Sequence, residues 1–478
     1  MATVGILGGG ISGLSCAYYL KTLGQSKIKY ICLLDKSPKF GGWIQTTRFP
    51  DGAIFEHGPR TIRVGTKAGF NALELADKLA LSSRILPITR EHPTAKTNFI
   101  LANNQLLPLP RDPSAFFRKV PPFSKSVIRY VFKEIRTKRS NLDDESVYSF
   151  AERRIGEEVA KYALDPMCRG VAAGDARELS VRSMLPFLYE TEKNYGSIVK
   201  GILKGSRISE AQDFMQSSLV QKAYREIWRM WTLKTGLNEL IDALAGTIDE
   251  RGKADLIFDA KCTNLTFKDG KADIVVDNEN IKVDHVFSSI PSYELASLID
   301  AYPVLKENLM AIPSVDVAVV YLEYETDIIG NKTGFGYLVP SHEDSKVLGI
   351  VFDSCCFPAM NGTGQTRLTC MLGGRWFKDI FGDPKTVSMD TLLNVATEEV
   401  GKRFNTTDKP IRHKVILQKK CIPQYLVGHH IKLEKISEEI KENNLNLSLI
   451  GASYKGAGVP DCIYNARLSV EKYLKSLH

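Results

Sequence analysis

Three glycines near the start of the chain have a spacing that could hold a nucleotide. Gly8, Gly10 and Gly13 form the pattern G-x-G-x-x-G. In this pattern the first glycine permits a tight turn, the second lets the backbone approach a pyrophosphate, and the third lets a helix pack closely on a strand. The unpaired N–H groups at the start of that helix then face the phosphates. The glycines therefore predict a dinucleotide site.

The sequence also predicts the strands and the helix that must position these glycines. The apolar run 3–8 predicts a buried strand, the apolar periodicity of 11–24 predicts a helix ending at Gly24, and 28–36 predicts a second strand. Asp35 closes that strand 22 residues after Gly13, where its carboxylate could accept hydrogen bonds from a ribose. This β-α-β context separates a nucleotide motif from a chance match.

The composition is that of a folded protein with more than one domain. A chain of 478 residues predicts two or three domains, and 44% hydrophobic with 25% charged residues excludes a disordered chain. The net charge of +8 suits either an anionic lipid surface or a nucleic acid. Nine cysteines without a C-x-x-C pair predict free thiols, and the single close histidine pair, His429 and His430, predicts no metal site.

Membrane-spanning and targeting segments are not predicted. No apolar run reaches the roughly 18 residues that a span requires. The first strand begins directly after Met1-Ala2-Thr3 without a basic leader, so we expect no cleaved presequence.

Further glycines point to a particular dinucleotide. Gly41 and Gly42 follow Asp35 at D-x5-G-G spacing, 55–63 reads FEHGPRTIR, and 447–474 reads as a strand, a glycine-rich turn and a helix. These segments resemble the flavin amine oxidase superfamily, although many members have Arg or Lys where this chain has Trp43. The resemblance implies one non-covalent FAD held by both ends of the chain.

Several other segments carry a closer resemblance. They resemble the oxygen-dependent protoporphyrinogen IX oxidases of the animal mitochondrial type, and they are 164–188, 231–244, 334–340, 347–354, 371–376, 421–430 and 451–463. The resemblance implies an α/β and α+β fold in three parts. A discontinuous Rossmann-like FAD-binding domain would comprise 1–90, 225–300 and 440–478, a mixed-sheet substrate domain 301–439, and a helical membrane-binding domain 91–224.

The resemblance also implies a set of cofactor-binding positions. Cys262 would contact the adenine through its backbone rather than its thiol. The full set is Gly8, Gly9, Gly10, Ile11, Ser12, Gly13, Asp35, Lys36, Trp43, Gly58, Pro59, Arg60, Thr61, Cys262, Ala452, Ala457, Gly458 and Val459.

The implied reaction is the oxidation of protoporphyrinogen IX to protoporphyrin IX in haem biosynthesis. Six electrons would leave in three steps, with dioxygen reoxidising the flavin and releasing hydrogen peroxide. No nucleophile–base pair is evident, and none is required, because a pyrrole N–H loses its proton readily while the flavin does the chemistry. No residue is therefore assigned as catalytic.

A flat apolar macrocycle requires an apolar slot. The resemblance assigns this slot to Phe335, Leu338, Met371 and the backbone at Gly170. Asn98 stands where family members often have an arginine that pairs with a propionate. An amide offers only a neutral hydrogen bond, so either Arg63 or Lys96 takes that role or this propionate is held more loosely.

One segment has the composition of a protein surface that contacts a membrane. Residues 116–140 contain eight basic residues and one acid, with five aromatic residues between them. This mixture suits an anionic interface, and nothing else supports nucleic acid as the partner. The resemblance implies peripheral attachment to the intermembrane-space side of the mitochondrial inner membrane, a homodimer, and a ferrochelatase as the partner that receives the product.

Two alternatives stay open at this point. One is another enzyme of the superfamily, an amine oxidase or a carotenoid-type desaturase. Cys462 lies near the position where covalent types attach flavin, but it follows the glycine turn at the start of a helix, so attachment is not expected. The other is an FAD-holding membrane scaffold without turnover.

Overall fold

The structure is a computed structural model that describes residues 1–109, 116–204, 210–249 and 252–477. Its first layer is a parallel sheet of five strands in the order β10 (Ala254–Ile257), β2 (Ile28–Leu34), β1 (Ala2–Leu7), β14 (His285–Ser288) and β20 (Leu447–Leu449). These strands are almost continuously apolar because the sheet is covered on both faces. They come from three separate stretches of the chain, as a discontinuous domain requires.

Side chains alternate between the two faces of this sheet. Ile31 and Leu33 point to one core, while Cys32 and Leu34 point to the other. The first core lies under α1 (Ile11–Leu23), α2 (Lys67–Lys78), α12 (Asn238–Asp249) and α19 (Val459–Ser476). The second lies under the antiparallel strands β11 (Cys262–Lys268), β12 (Lys271–Val276) and β13 (Glu279–Val283), with α13 (Ser292–Ala296), α14 (Pro303–Met310) and α18 (His429–Glu442) beside them.

The second layer is a mixed sheet of seven strands. Its order is β19 (Arg412–Pro423), β15 (Ser314–Tyr324), β18 (Thr366–Gly374), β17 (Val347–Val351), β16 (Gly336–Leu338), β7 (Phe99–Ala102) and β8 (Gln105–Pro108). The helix α17 (Met389–Phe404) covers one face with Leu392, Ala396, Val400 and Phe404, which share one side of the helix. Two shorter helices, α15 (Asp353–Cys356) and α16 (Phe377–Phe381), complete this layer.

One predicted boundary is wrong. Strands β7 and β8 fall within 91–224, the range expected to form the helical domain, yet β7 pairs with β16 at Tyr337↔Phe99 and Leu338↔Ile100. The two strands are only four residues long and the edge of the sheet is supplied by a distant part of the chain. Such a long-range pairing leaves no local signal.

Two small antiparallel sheets join the layers. The hairpin of β3 (Thr46–Arg48) and β4 (Ile54–Glu56) lies against the open face of the mixed sheet. The other sheet has the order β5 (Ile62–Arg63), β9 (Trp228–Leu233) and β6 (Ile85–Thr89). The short helix α3 (Pro93–Lys96) follows β6.

The remaining helices form a separate part of the fold, which we call the helical part (residues 116–204). It contains α4 (Val127–Arg136), α5 (Val147–Arg154), α6 (Glu157–Val159), a π-helical turn (Ala160–Leu164), α7 (Asp165–Ala172), α8 (Val181–Met184), α9 (Pro186–Tyr195) and α10 (Ile198–Leu203). The helix α11 (Ser218–Arg225) follows and packs on α2.

A buried ion cluster holds the helical part together. The Arg154 side chain on α5 is fully buried, and it lies 2.9 Å from Oε1 of Glu134 on α4 and 2.8 Å from Oε1 of Glu192 on α9. Glu134 also accepts hydrogen bonds from the Ser197 hydroxyl and the Ile198 N–H at the start of α10. Four helices therefore meet at one charged centre whose groups are mutually satisfied.

Removing the cation of this cluster should destabilise the helical part. Arg154→Leu leaves the buried Glu134 carboxylate without its cation and leaves Glu192 with Arg153 alone, and we expect a loss of about 3–5 kcal/mol in the free energy of unfolding. Urea denaturation measures the loss, and hydrogen exchange should locate it to residues 116–204. The matched control is Arg225→Leu at an exposed position of α11, which should change stability by less than about 0.5 kcal/mol. Equal stability of the two variants would contradict the structural role of the cluster.

Candidate functional site

A cleft of about 650 Å³ opens at the carboxyl ends of β1 and β2, and we call it the cofactor cleft. Open α/β sheets bind ligands at this edge because neighbouring strand ends and helix starts meet there. Its walls come from the turn after β1, the start of α1, the end of β2, the loop 41–44, the start of β11 and the start of α19. The volume and the mixed polar and apolar lining are typical of a small-molecule site.

The glycine turn has the geometry that nucleotide binding requires. Gly8 adopts φ +96°, and a Cβ on Gly13 would lie 1.8 Å from the carbonyl oxygen of Gly8. Helix α1 can therefore approach β1 only because position 13 lacks a side chain. A Cβ on Gly10, in contrast, would meet no protein atom within 4 Å, because this residue faces the cleft.

The carboxylate of Asp35 is held at the end of β2. Its Oδ2 accepts a hydrogen bond of 2.6 Å from the Gly9 N–H, and its Oδ1 accepts one of 2.7 Å from the Ser37 N–H. A carboxylate has about four acceptor positions, so acceptor capacity remains for the hydroxyls of a sugar. Lys36, the next residue, pairs at 2.9 Å with Glu294, and both side chains line the cleft.

The second glycine pair brings Trp43 to the cleft. The Gly41 N–H donates to the Gly9 carbonyl at 2.9 Å, and Gly41 and Gly42 adopt φ +110° and +56°. This contact places Trp43 in the wall. A Cβ on Gly58 would lie 2.7 Å from the Trp43 carbonyl oxygen, so the segment carrying Pro59 can pack directly behind it.

The two ends of the chain meet at this cleft. Ala452, Ala457, Val459 and Cys462 from the last 30 residues line it together with Gly8 and Gly10, and Gly458 caps the start of α19. Burial raises the pKa of the Cys462 thiol to about 11, which keeps it protonated and a poor nucleophile. Cys262 also lines the cleft, and burial raises the pKa of its thiol to about 11.

Some predicted cofactor positions support the cleft without lining it. They are Gly9, Gly13, Gly58, Arg60, Thr61 and Gly458. Arg60 is the most informative, because its Nη1 is buried without a hydrogen-bond partner in the protein. Burial raises the pKa of the nearby Glu56 carboxyl to about 7, and the hydrogen bonds from Thr46 and the Leu237 N–H and the charge of Arg60 only partly oppose this rise. An unpaired buried guanidinium nitrogen is costly, and a bound polar group would satisfy it.

Two of the predicted substrate residues, Leu338 and Met371, lie together on the mixed sheet, and a third, Gly170, lies on a helix that packs against them. Leu338 on β16 is in register with Gly349 on β17, and Gly349 with Met371 on β18, so the three form one row across the sheet. Gly170 on α7 lies on this row, since a Cβ there would be 2.2 Å from Leu338 Cδ2. Leu338 and Met371 are half-buried. The row is an apolar surface of the kind that a flat ligand requires.

Phe335 and Asn98 lie beside this row rather than in it. Phe335 packs in a neighbouring cluster with Ile54, Met360 and Val351. Its N–H donates to the Thr97 carbonyl at 3.0 Å, and Asn98 follows directly, one residue before the start of β7. Of the two cations considered for a carboxylate, Lys96 pairs with Glu91 at 2.8 Å, and Arg63 is exposed on β5.

The structure adds residues that the sequence did not indicate. Ser289 follows β14 and donates through its hydroxyl to the Leu7 and Gly8 carbonyls, both at 2.9 Å, which holds the glycine turn in place. Tyr293 and Lys419 line the cleft from distant segments. Ser289 could have been expected from its place after a parallel strand, whereas Tyr293 and Lys419 carry no local signal.

Gly10, which faces the cofactor cleft, allows a direct test of the cleft's role. Gly10→Ala should leave the stability of the flavin-free protein within about 0.5 kcal/mol, because the added methyl meets no protein atom. The same methyl enters the cleft, so flavin affinity should fall at least tenfold, measured by fluorescence titration. Gly246→Ala, at a helical glycine with equally open surroundings, should lower neither the affinity for flavin nor the stability of the protein. Unchanged flavin affinity in Gly10→Ala would contradict the assignment of the cleft.

Comparison with known proteins identifies the family. The family described as flavin containing amine oxidoreductase matches residues 11–472. The chain is 38% identical to the protoporphyrinogen oxidase of Bos taurus over 99% of this chain and 98% of that protein, and 39% identical to that of Homo sapiens over 97% of each. A solved structure titled putative protoporphyrinogen oxidase, from an Exiguobacterium species, superposes with a TM-score of 0.78 at 20% identity over 99% of each chain, which shows the shared fold. The chain therefore belongs to the flavin-containing amine oxidoreductases, a family of flavin-dependent enzymes, and within it to the group formed by these protoporphyrinogen oxidases.

Proposed function

We propose that this protein is an oxygen-dependent protoporphyrinogen IX oxidase of haem biosynthesis. It oxidises protoporphyrinogen IX to protoporphyrin IX by removing six electrons and releases hydrogen peroxide from dioxygen. The observation that carries the proposal is the match to animal protoporphyrinogen oxidases along nearly the whole length of both chains. The apolar row on the mixed sheet is compatible with a macrocyclic substrate.

The cofactor in this proposal is one non-covalent FAD. The chemistry of the cofactor cleft supports it: glycine backbone and the start of α1 for the pyrophosphate, and Asp35 for a ribose. Arg60 lies outside the lining, and its buried, unpaired Nη1 is a donor that a bound polar group could satisfy. When bound, FAD supplies a two-electron acceptor that dioxygen can reoxidise. The protonated thiol of Cys462 favours non-covalent binding, because a thiol of raised pKa is a poor nucleophile.

The residues of this chain bind and orient the substrate in this proposal. Leu338 and Met371 offer one apolar row, and the close approach at Gly170 keeps α7 against it. Binding there excludes water from the reacting carbon and holds it in one orientation. Asn98 donates a neutral hydrogen bond to a propionate, so orientation depends more on the apolar contacts than it would with an arginine.

The first experiment measures turnover. Purified holoenzyme supplied with protoporphyrinogen IX in air should produce porphyrin fluorescence with about three hydrogen peroxide molecules per porphyrin, and should produce neither without oxygen. Leu338→Ala should lower kcat/KM about tenfold or more through lost apolar contact, with flavin content unchanged. Leu23→Ala, at an exposed position of α1, is the matched control.

The other outcomes of this experiment identify the alternatives. Peroxide formation with amines instead of porphyrinogen would indicate an amine oxidase, and desaturation of a polyene would indicate a desaturase. Bound FAD without any turnover would indicate a scaffold. Each of these results would overturn the proposal.

The same proposal includes a site of action. We place the protein on the intermembrane-space face of the mitochondrial inner membrane, as a peripherally attached homodimer that passes its product to a ferrochelatase. The surface of 116–140 supports the attachment, because Phe117 and Phe132 are 74% and 51% exposed among basic residues. Within the described ranges, every helix is too short or too polar to cross a bilayer.

Membrane attachment can be measured with vesicles. The holoenzyme should sediment with phosphatidylcholine vesicles that contain phosphatidylglycerol, and added salt should reduce the bound fraction. Phe117→Ser with Phe132→Ser should lower that fraction at least threefold, whereas Val304→Ser with Met310→Ser, two exposed apolar positions on α14, should not. Equal sedimentation of both double variants, or recovery of the protein outside mitochondria on cell fractionation, would overturn the proposed location.

A further inference from the structure

A second cavity lies inside the helical part, away from the cofactor cleft. It has a volume of about 270 Å³ and lies among the loop 118–125, α4, the segment 155–163 and the start of α10. Most of the side chains that line it are aliphatic or aromatic, and the main ones are Val120, Phe123, Val127, Val131, Val159 and Ile198. We call it the apolar cavity.

The polar groups that border the apolar cavity are satisfied elsewhere. The Glu134 carboxylate is occupied by Arg154, by the Ser197 hydroxyl and by the Ile198 and Val199 N–H groups. The Tyr130 hydroxyl donates to Glu158. Water in this cavity would therefore find few partners, and an apolar cavity of this kind favours an apolar occupant.

Cations lie at the opening of the apolar cavity. Arg118 and Lys125 are the basic residues that border it, and both are exposed to solvent. The surrounding segment 116–140 has eight basic residues, and its one acid, Glu134, is neutralised in the interior by Arg154. Glu158 is the acid beside this opening, where it accepts hydrogen bonds from the Ser124 N–H and the Tyr130 hydroxyl and lies near Lys125. Two cations and one anion therefore border the apolar interior, and the opening keeps a net positive charge.

These two features together match one class of ligand. We propose that the apolar cavity takes one hydrocarbon chain of an anionic phospholipid, with the phosphate of its headgroup between Arg118 and Lys125. The hydrocarbon chain would contact the apolar side chains that line the cavity, and the phosphate would pair with the cations at the opening. This site extends the proposed membrane attachment from surface contact to the binding of an individual lipid, and it does not depend on which substrate the enzyme oxidises.

A single-chain lipid tests the proposal without a bilayer. Isothermal titration of the holoenzyme with oleoyl lysophosphatidylglycerol, below its micelle concentration, should show one site per chain. Oleoyl lysophosphatidylcholine, which lacks the net charge, should bind at least fivefold more weakly, and glycerophosphoglycerol, which lacks the hydrocarbon chain, should not bind measurably. Protoporphyrin IX should not compete, because a rigid macrocycle cannot bend between the helices that line the cavity as a flexible hydrocarbon chain can.

Filling the apolar cavity is the decisive variant. Val131→Phe places a ring in the space of the chain and should weaken lysophosphatidylglycerol binding at least tenfold, while Val304→Phe, at an exposed position on α14, should not. Arg118→Gln with Lys125→Gln should remove the preference for the anionic lipid, with Lys435→Gln on α18 as the control for loss of charge.

Thermal unfolding, flavin content and porphyrinogen oxidation are measured on every variant. Loss of lipid binding with these three retained supports the site, because a misfolded variant would lose them as well. If Val131→Phe is unfolded, Ala163→Leu fills the same cavity from the π-helical turn and replaces it. Undiminished lipid binding in a folded filled variant, or displacement of the lipid by protoporphyrin IX, would overturn the proposal, whether or not the protein oxidises porphyrinogen.

Discussion

The absence of a side chain at Gly13 is the constraint on which the rest of the structure depends. The carbonyl oxygen of Gly8 occupies the place where a Cβ of Gly13 would be, so α1 lies directly against the end of β1. This contact aims the start of α1 at the cofactor cleft and lets α19 pack beside α1. The Ser289 hydroxyl fixes the same turn from a third stretch of the chain. Three distant segments therefore converge on one glycine turn.

The open face of the mixed sheet, against which the hairpin of β3 and β4 packs, combines two environments. Near its centre, Leu338, Gly349 and Met371 form an apolar row. Toward one end, the Arg367 guanidinium donates to the Ile54 carbonyl, and the Tyr321 ring stacks on Phe55 at 4.9 Å. The polar contacts fix the hairpin of β3 and β4 to the sheet, and the apolar row is left for a ligand. Anchoring and binding are thereby separated along the same strands.

The helical part solves a different physical problem. Several of its large aromatic side chains are exposed to solvent, so they do not add buried apolar area to the core of the helical part. The ion cluster around Arg154 supplies part of the missing cohesion, because several helix ends share its hydrogen bonds. The same cluster occupies the polar atoms beneath the apolar cavity. Because the ion cluster already satisfies these polar atoms, the apolar cavity can lie directly beside it.

The sequence by itself determined the dinucleotide site, because the glycine spacing, the apolar strands and Asp35 act over about 30 neighbouring residues. It also carried the family, through segments spread along the chain. The positions of Leu338 and Met371 could be expected only by resemblance, because strand register joins residues that are far apart in sequence.

Only the tertiary structure decided that β7 and β8 extend the mixed sheet, that Tyr293 and Lys419 reach the cofactor cleft, and that Arg60 has an unpaired buried nitrogen. The apolar cavity also depends on the tertiary structure. Its valines lie on separate segments of the chain, so no spacing in the sequence indicates that they line one cavity. Local periodicity determines which residues face inward, but the packing of distant elements determines what they meet there.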